Sequence, residues 1–402
     1  MLNPHLIAQL RRAAAENPET SRLGNLALDR VQISMPSAPS VPSVLVEPAW
    51  HGEMTGPHEI FGRPVDDSCL SGIGALGVSV PEKSIYTVEH ARPIGFDSVL
   101  GPAGELFAPS PATKKNIDGL LQKNATDHQG YLIQKTNDSL YAYYVARPHT
   151  KHFNLDAIYF SNLEPGNYGS FIFRQLPQIL SVPDIDRFQA IIVPDRTPWT
   201  SAALKMMGFE NTPVFSLREV SGDTFRSILL FSDFDAEGIL APATIGRMRR
   251  LATSEGKARA EPSKRHIYVS RLLSSLARPD YRPLKNELDI EAFFSDRGFE
   301  IVYPETLTFS EQIHLFRGAS KIVGPSGSGM LNAVFSEPGT KIVDMESYHV
   351  CVRQHAKIYS SSEKAYSFLF GELEKGDRPS MIVSPWSAPM HLVREAYDWI
   401  MD

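Results

Sequence analysis

The chain has little cysteine, no excess of basic residues and no long uncharged apolar run. Its two cysteines, Cys69 and Cys351, are too few for a disulfide framework in 402 residues, so a reducing cytoplasm suits them best. With 40 Lys and Arg against 46 Asp and Glu, the net charge is −6. No surplus of cations is there to displace counterions from phosphates, which argues against a nucleic-acid partner. No apolar run approaches the roughly 18 residues needed to cross a bilayer. The N-terminus lacks a basic region followed by an apolar stretch, so no signal peptide is visible. A soluble cytoplasmic protein is the expectation.

What is present is ordinary core material, 42% hydrophobic and 10% aromatic, in a length that suits two domains. A first helix is expected near Asn3–Glu16, with Leu6, Ile7, Leu10 and Ala14 on one face. Its Arg11 and Arg12 leave peripheral membrane association open beside the plainer reading of a docking helix. "SMPSAPSVPSVLVEP" (34–48) reads as an extended linker because proline removes donors and restricts the preceding residue. Residues 49 to 110 show no clear period. "LYAYYVA" (140–146), "LDAIYFS" (155–161), "FQAIIVP" (188–194) and "SILLF" (227–231) read as strands, with helices over 168–180 and 201–209. The second half repeats the alternation. Helices are expected over 241–256, 286–299 and 312–319, and strands over 265–271, 300–303, "KIVG" and "KIVDM". Alternating strands and helices predict α/β architecture with two Rossmann-like domains facing a cleft. The expected division is a 1–75 extension, a 76–235 domain, a 236–385 domain and a 386–402 helix.

"GPSGSG" (324–329) lies between strand "KIVG" and the following helix. In an open parallel sheet, ligands bind beyond the carboxyl ends of the strands. Glycines let backbone N–H groups approach an anion, and a helix start adds positive potential. Ser326 and Ser328 add hydroxyl donors, so a phosphate or diphosphate is the natural guest. Gly327-Ser328-Gly329 opens G-x-G-x-x-G, but Asn332 replaces the third glycine and the loop follows the wrong strand for an NAD fingerprint. Asp233-Phe234-Asp235 and Asp184-Ile185-Asp186 match D-x-D metal motifs, and are read as solvated turns. His349, Cys351 and His355 have irregular spacing for a metal site. No metal and no further cofactor is expected.

"YVSR" (268–271), "RPLKNE" (282–287), the stretch 298–344 and "GNYGSFIFRQLPQIL" (166–180) together resemble glycosyltransferase family 61. That family includes β-1,2-xylosyltransferases, protein O-GlcNAc transferases and bacterial capsular and exopolysaccharide proteins. The resemblance implies a two-domain GT-B fold, a nucleotide sugar (UDP-linked) in the C-terminal domain, and inversion at the anomeric carbon. It carries over to Arg271, Arg282, Asn286, Glu287, Gln312, Gly324, Gly327, Gly329 and Asn332, with Asp344 where the family has Glu. Two family histidines are replaced, by Ser326 in the glycine loop and by Ser170 after Asn167-Tyr168.

The residue types agree with that chemistry. Guanidinium groups such as Arg271 and Arg282 bind two diphosphate oxygens at once. Asn286 and Glu287 open a helix, where capping is the plainer role, and Glu287 or Asp344 suits ribose hydroxyls. An inverting displacement also needs a base, and Glu164 and Asp195, each following a strand of the first domain, are the candidates. Serine 170 can only hydrogen-bond. The expectation is an inverting, metal-independent transfer from a nucleotide sugar to a glycan or lipid-linked glycan in bacterial surface polysaccharide synthesis, in the cytoplasm, with the inner face of the membrane left open as a location. The alternatives are a catalytically silent nucleotide-sugar-binding protein and an NAD-dependent sugar-modifying enzyme.

Overall fold

A computed structural model describes residues 26–34, 41–64, 70–74, 76–94, 98–108, 132–136, 139–145, 150–184, 187–220, 222–232, 239–254, 264–347, 352–374 and 383–402. The helix expected over Asn3–Glu16 lies outside them, as do Asp233, Asp235, Asp186, His349 and both cysteines. The chain divides into two compact units, 1–48 with 82–234, and 49–81 with 235–402. The second unit therefore takes in 49–81, a segment the sequence pattern placed in the extension and the start of the first domain.

In the first unit, four parallel strands are β1 (His152–Tyr159), β2 (Ala190–Val193), β3 (Val214–Ser216) and β4 (Thr224–Phe231). Their spatial order is β3-β2-β1-β4, so the chain reverses direction across the sheet between β1 and β4. β4 then pairs antiparallel with Lys83–Ile94, from which a chain of antiparallel and parallel neighbours runs to Leu26–Ser34 and Ser139–Val145. The strand expected over 140–146 is Ser139–Val145 among the described residues, and it is an antiparallel one. The linker expected over 34–48 is corrected in part. Ser43–Glu47 pairs with Lys83–Ile94, because "SVLVE" is free of proline and β-branched enough to extend the sheet. The buried faces of β1, β2 and β4 meet in one core through Ala157, Tyr159, Ala190, Ile192, Ile228 and Leu230.

A helix, α1, spans 168–179. It opens with Tyr168–Ser170, widens to a π turn over Phe171–Gln175, and closes with Leu176–Ile179. Pro177 has no N–H for the carbonyl four residues back, and the turn before it takes the wider pattern, Leu176 N–H donating to Phe171 O. Two glutamines fasten α1 to the exit of β1. Gln178 pairs with the Ser161 backbone at 3.0 and 3.1 Å, and Gln175 donates to Phe160 O at 2.9 Å. α2 (Pro198–Met206) follows β2, and α3 (Leu217–Val220) follows β3.

The second unit has α4 (Pro242–Ser254), β5 (Arg265–Val269), α5 (Leu272–Ala277), α6 (Glu287–Ser295), β6 (Glu300–Val302), α7 (Phe309–Arg317), β7 (Ala319–Pro325), β8 (Lys341–Glu346), α8 (Val352–Ser361), β9 (Ala365–Phe370) and α9 (Met390–Met401). Its sheet is parallel throughout, in the order β6-β5-β7-β8-β9, with Ile60–Phe61 at the edge. Strands covered on both faces read as continuous apolar runs. Ile322, Val323, Ile342 and Val343 are accordingly fully buried. α6 and α9 supply Ile290, Phe293, Phe294, Val393 and Ile400 to one core. α4, α7 and α8 pack against a 3-10 helix, Ser328–Phe335. The capping box before α7 forms as the sequence predicts, Glu311 N–H donating to Thr308 Oγ1 and Thr308 N–H to Glu311 Oε2.

Candidate functional site

In the second sheet the order reverses between β5 and β7, and a crevice outside the carboxyl ends of an open parallel sheet forms at that switch point. Ser270-Arg271 leaves one strand there and Pro325-Ser326-Gly327-Ser328-Gly329 leaves the other. Gly324 has room for nothing larger, since a Cβ would stand 2.5 Å from Val269 O. Gly327 has φ 169°, extended backbone open to any residue, so its reason is proximity: a Cβ would meet Arg271 Nε at 3.2 Å and Cδ at 3.3 Å. The Arg271 side chain lies along the loop and donates from Nη1 to Ser326 O at 3.2 Å. Gly327, Ser328 and Gly329 are half-buried, as is Arg271. Of the expected binding residues, Asn286 is half-buried as well. The helix expected near Met330 is a 3-10 helix starting at Ser328, with poorer alignment of its amides than an α-helix.

Arg282, Glu287, Ser326, Asn332 and Asp344 lie beneath. Arg282 is 3% exposed. Its Nη1 pairs with Glu346 Oε1 at 3.0 Å, Glu346 being wholly buried, and its Nη2 donates to Ser326 O at 2.8 Å. Arg282 therefore holds the loop from below, and its φ of +41° marks backbone strain that the surrounding contacts must offset. Ser326 is also buried, with Oγ 3.3 Å from His355 Nδ1. Asp344 is not at an exposed strand end; it is wholly buried, and its Oδ2 lies 2.6 Å from both His355 Nδ1 and Tyr359 Oη. One imidazole nitrogen faces both Asp344 and Ser326, so this trio cannot relay a proton from one to the other through the ring. Asn332 is buried and donates to Gln312 Oε1 at 2.7 Å, and Gln312 in turn holds Pro304 O. Asn286 makes no side-chain cap. It clamps Ala388 in both directions instead, at 2.8 and 3.1 Å.

Glu287 is 1% exposed and accepts from Arg271 N–H at 2.6 Å. Ser270 Oγ lies 3.2 Å from Glu287 Oε1 and 2.5 Å from Glu291 Oε1, so its single proton goes to Glu291, which also accepts from Tyr303 Oη. Burial pushes the Glu287 carboxyl up from 4.5 to about 7, against the Arg271 backbone bond and charge that favour the anion. Burial likewise pushes the Tyr268 hydroxyl up, with Glu287 and Glu291 adding to it.

In the first unit, the switch point between β1 and β4 is where the chain leaves β1 through Asn162, Glu164 and Asn167. Asn167 caps α1, accepting from Gly169 and Ser170 N–H. Ser170 is wholly buried and donates to Asn162 Oδ1 at 2.6 Å, with Arg174 Nη1 at 3.3 Å. A hydroxyl so enclosed is a fixed point of the loop, and it offers no open catalytic position. Glu164 has a 41% exposed side chain, 3.8 Å from Arg174 Nη1, and accepts from Asn167 Nδ2 at 3.2 Å. Asp195 is exposed at the end of β2. Sequence reasoning missed Ser270, Glu291, Asn162 and Arg174, and it weighed His355 only as a metal ligand. Of these only Ser270 and Arg174 sit inside stretches that carried a motif.

The architecture is mixed α/β with parallel sheets, a fold consistent with a glycosyltransferase. A family model described as Glycosyltransferase 61 matches residues 168–343. The matched span begins at the first turn of α1 and ends inside β8, one residue before Asp344, so it covers Ser170, Asp195, Arg271, Arg282 and the glycine loop. No curated protein matches the chain. The family match supports a glycosyltransferase of family 61. Among the described residues, no helix is long and apolar enough to cross a membrane.

Proposed function

We propose that the protein is an inverting glycosyltransferase that uses a nucleotide sugar, UDP-linked, and a glycan or lipid-linked glycan acceptor in bacterial surface polysaccharide synthesis. The observation that carries this reading is the Arg271 guanidinium laid against Gly327 and Ser326 O at the β5/β7 switch point. A guanidinium and loop amides together suit a diphosphate. In the reaction the acceptor oxygen forms a bond to the anomeric carbon as the bond from that carbon to the diphosphate breaks. UDP leaves with the electron pair, its charge met by Arg271 and the loop amides. The acceptor proton goes to a carboxylate of the first unit, for which Glu164 is the choice, being half-exposed and fixed by Asn167.

A thermal-shift panel of nucleotide sugars followed by a UDP-release assay tests the reading. A ligand at 100 times its dissociation constant adds about 2.7 kcal/mol to stability. Binding of a UDP-sugar with UDP release on adding acceptor is the expected outcome. Binding without release points to a silent nucleotide-sugar-binding protein. A response to NADH and none to UDP points to the sugar-modifying alternative.

A further inference from the structure

We propose that Tyr168 and Trp199 form an aromatic platform that binds a pyranose ring of the acceptor. The inference rests on the glycosyltransferase reading and names the part of the chain that meets the sugar. The two rings come from the loops after adjacent parallel strands, Tyr168 at the start of α1 behind β1 and Trp199 in the first turn of α2 behind β2. They pack edge to face at 5.5 Å and 83°, with Phe171 behind both at 5.9 and 6.4 Å. Phe171 is wholly buried, while Tyr168 and Trp199 are both half-buried. A core cluster would hide all three, whereas this one brings two amphipathic rings to the carboxyl edge of the sheet.

The platform is rigid. Thr200, next to Trp199, donates to Gln175 Oε1 at 2.9 Å, and Gln175 donates to the β1 exit at Phe160 O, so α1 and α2 are tied together beneath the rings. The π turn in α1 starts at Phe171, three residues after Tyr168, and such turns gather at functional sites. Polar residues flank Tyr168 in the chain: Asn167 precedes it and bonds Glu164, which pairs with Arg174 farther along α1. The Trp199 indole N–H is buried and makes no hydrogen bond. A pyranose has an apolar face of C–H groups and a rim of hydroxyls. It suits an aromatic surface whose loop also carries a carboxylate, an amide and a guanidinium, since small-molecule sites combine aromatic walls with a few polar groups. It also brings the acceptor hydroxyl to the side of the unit that holds Glu164.

Saturation-transfer NMR on the full chain, with the methyl glycosides of xylose, glucose and N-acetylglucosamine at millimolar concentration, tests this. At least one should receive saturation, on its C–H face protons, and Trp199→Leu should weaken that binding by roughly tenfold. Trp199→Phe, which keeps an aromatic face, should restore most of it, and this separates loss of stacking from loss of fold. UDP titration is run on the same samples. UDP binding equal in wild type and variants, with glycoside binding lost only in Trp199→Leu, supports the platform. Equal glycoside binding in all three proteins, or saturation of no glycoside, overturns it. Absence of UDP binding in the wild type counts against the donor reading and leaves the glycoside comparison to decide the platform.

Discussion

At the scale of single residues, two arginines that look equivalent in the sequence do different work. Arg271 is half-buried along the glycine loop, whereas Arg282 is buried against Glu346. Arg271→Ala should remove a charge-assisted contact worth roughly 1.5–3 kcal/mol of UDP affinity and leave the melting temperature nearly unchanged. Arg282→Ala strands a buried carboxylate, which costs about 3–5 kcal/mol of stability. Calorimetry with UDP and thermal unfolding of both variants check the pair. Equal loss of stability in the two would refute the division of roles. Glu287 makes a pH prediction. Its folded value of about 7 stands above the ordinary 4.5, so between those limits the unfolded chain has lost a proton that the folded chain keeps. Stability from this group is present below about 4.5 and falls as pH rises toward 7, by about 3 kcal/mol in all. Glu287→Gln keeps an oxygen for Arg271 N–H and cannot titrate. The variant should therefore gain on the wild type in urea unfolding between about pH 5 and about pH 8. Parallel curves across that range would show that Glu287 does not titrate there.

At the scale of elements, the glycine loop is shaped by contacts that single substitutions can separate. Gly324→Ala drives a Cβ to 2.5 Å from Val269 O, and backbone cannot move aside as a side chain can. It should push β5 from β7 and cost about 1–3 kcal/mol in thermal or urea unfolding. Gly327→Ala meets only the Arg271 side chain at 3.2 Å, so it should displace the guanidinium, lower UDP affinity and spare stability. Wild-type affinity in Gly327→Ala would show that Arg271 need not lie where it does. These two glycines were visible in the sequence as one loop, and their different reasons were not, because each depends on a chain segment more than fifty residues away. The same line divides the rest. The Thr308–Glu311 box, the apolar runs of β1, β2, β5, β7 and β8, and the helix of α6 were legible because their causes are local. Ser43–Glu47 was hidden by neighbouring prolines, and its pairing with Lys83–Ile94 is a long-range choice. Asp344 read as a carboxylate for ribose hydroxyls because nothing within β8 announces His355 and Tyr359, which arrive from α8.

At the scale of the whole molecule, four parallel strands of the first unit and the parallel sheet of the second each show one reversal of strand order. Glu164 and Ser170 lie after β1 at the first reversal, and Arg271 with the glycine loop lies at the second. The chemistry differs between them. In the second unit the groups the surface reaches are one guanidinium and a run of backbone amides; in the first they are carboxylates and aromatic rings. A glycosyl transfer with its donor on the second unit must neutralise a departing diphosphate, and a divalent cation or fixed positive groups can do so. Among the described residues, no three His, Cys, Asp or Glu side chains gather to hold an ion, while Asp233 and Asp235 lie outside them. Arg271 and the loop amides already stand at the switch point, and we expect them to carry the charge. Transfer should then survive saturating EDTA at close to its full rate, and Arg271→Ala should lower the rate by more than it lowers UDP affinity, because charge on the leaving group grows toward the transition state. A UDP-release assay with and without chelator, in wild type and variant, reads both effects. Complete loss of turnover in EDTA, restored by Mn²⁺, would move the charge-bearing role from Arg271 to Asp233 and Asp235.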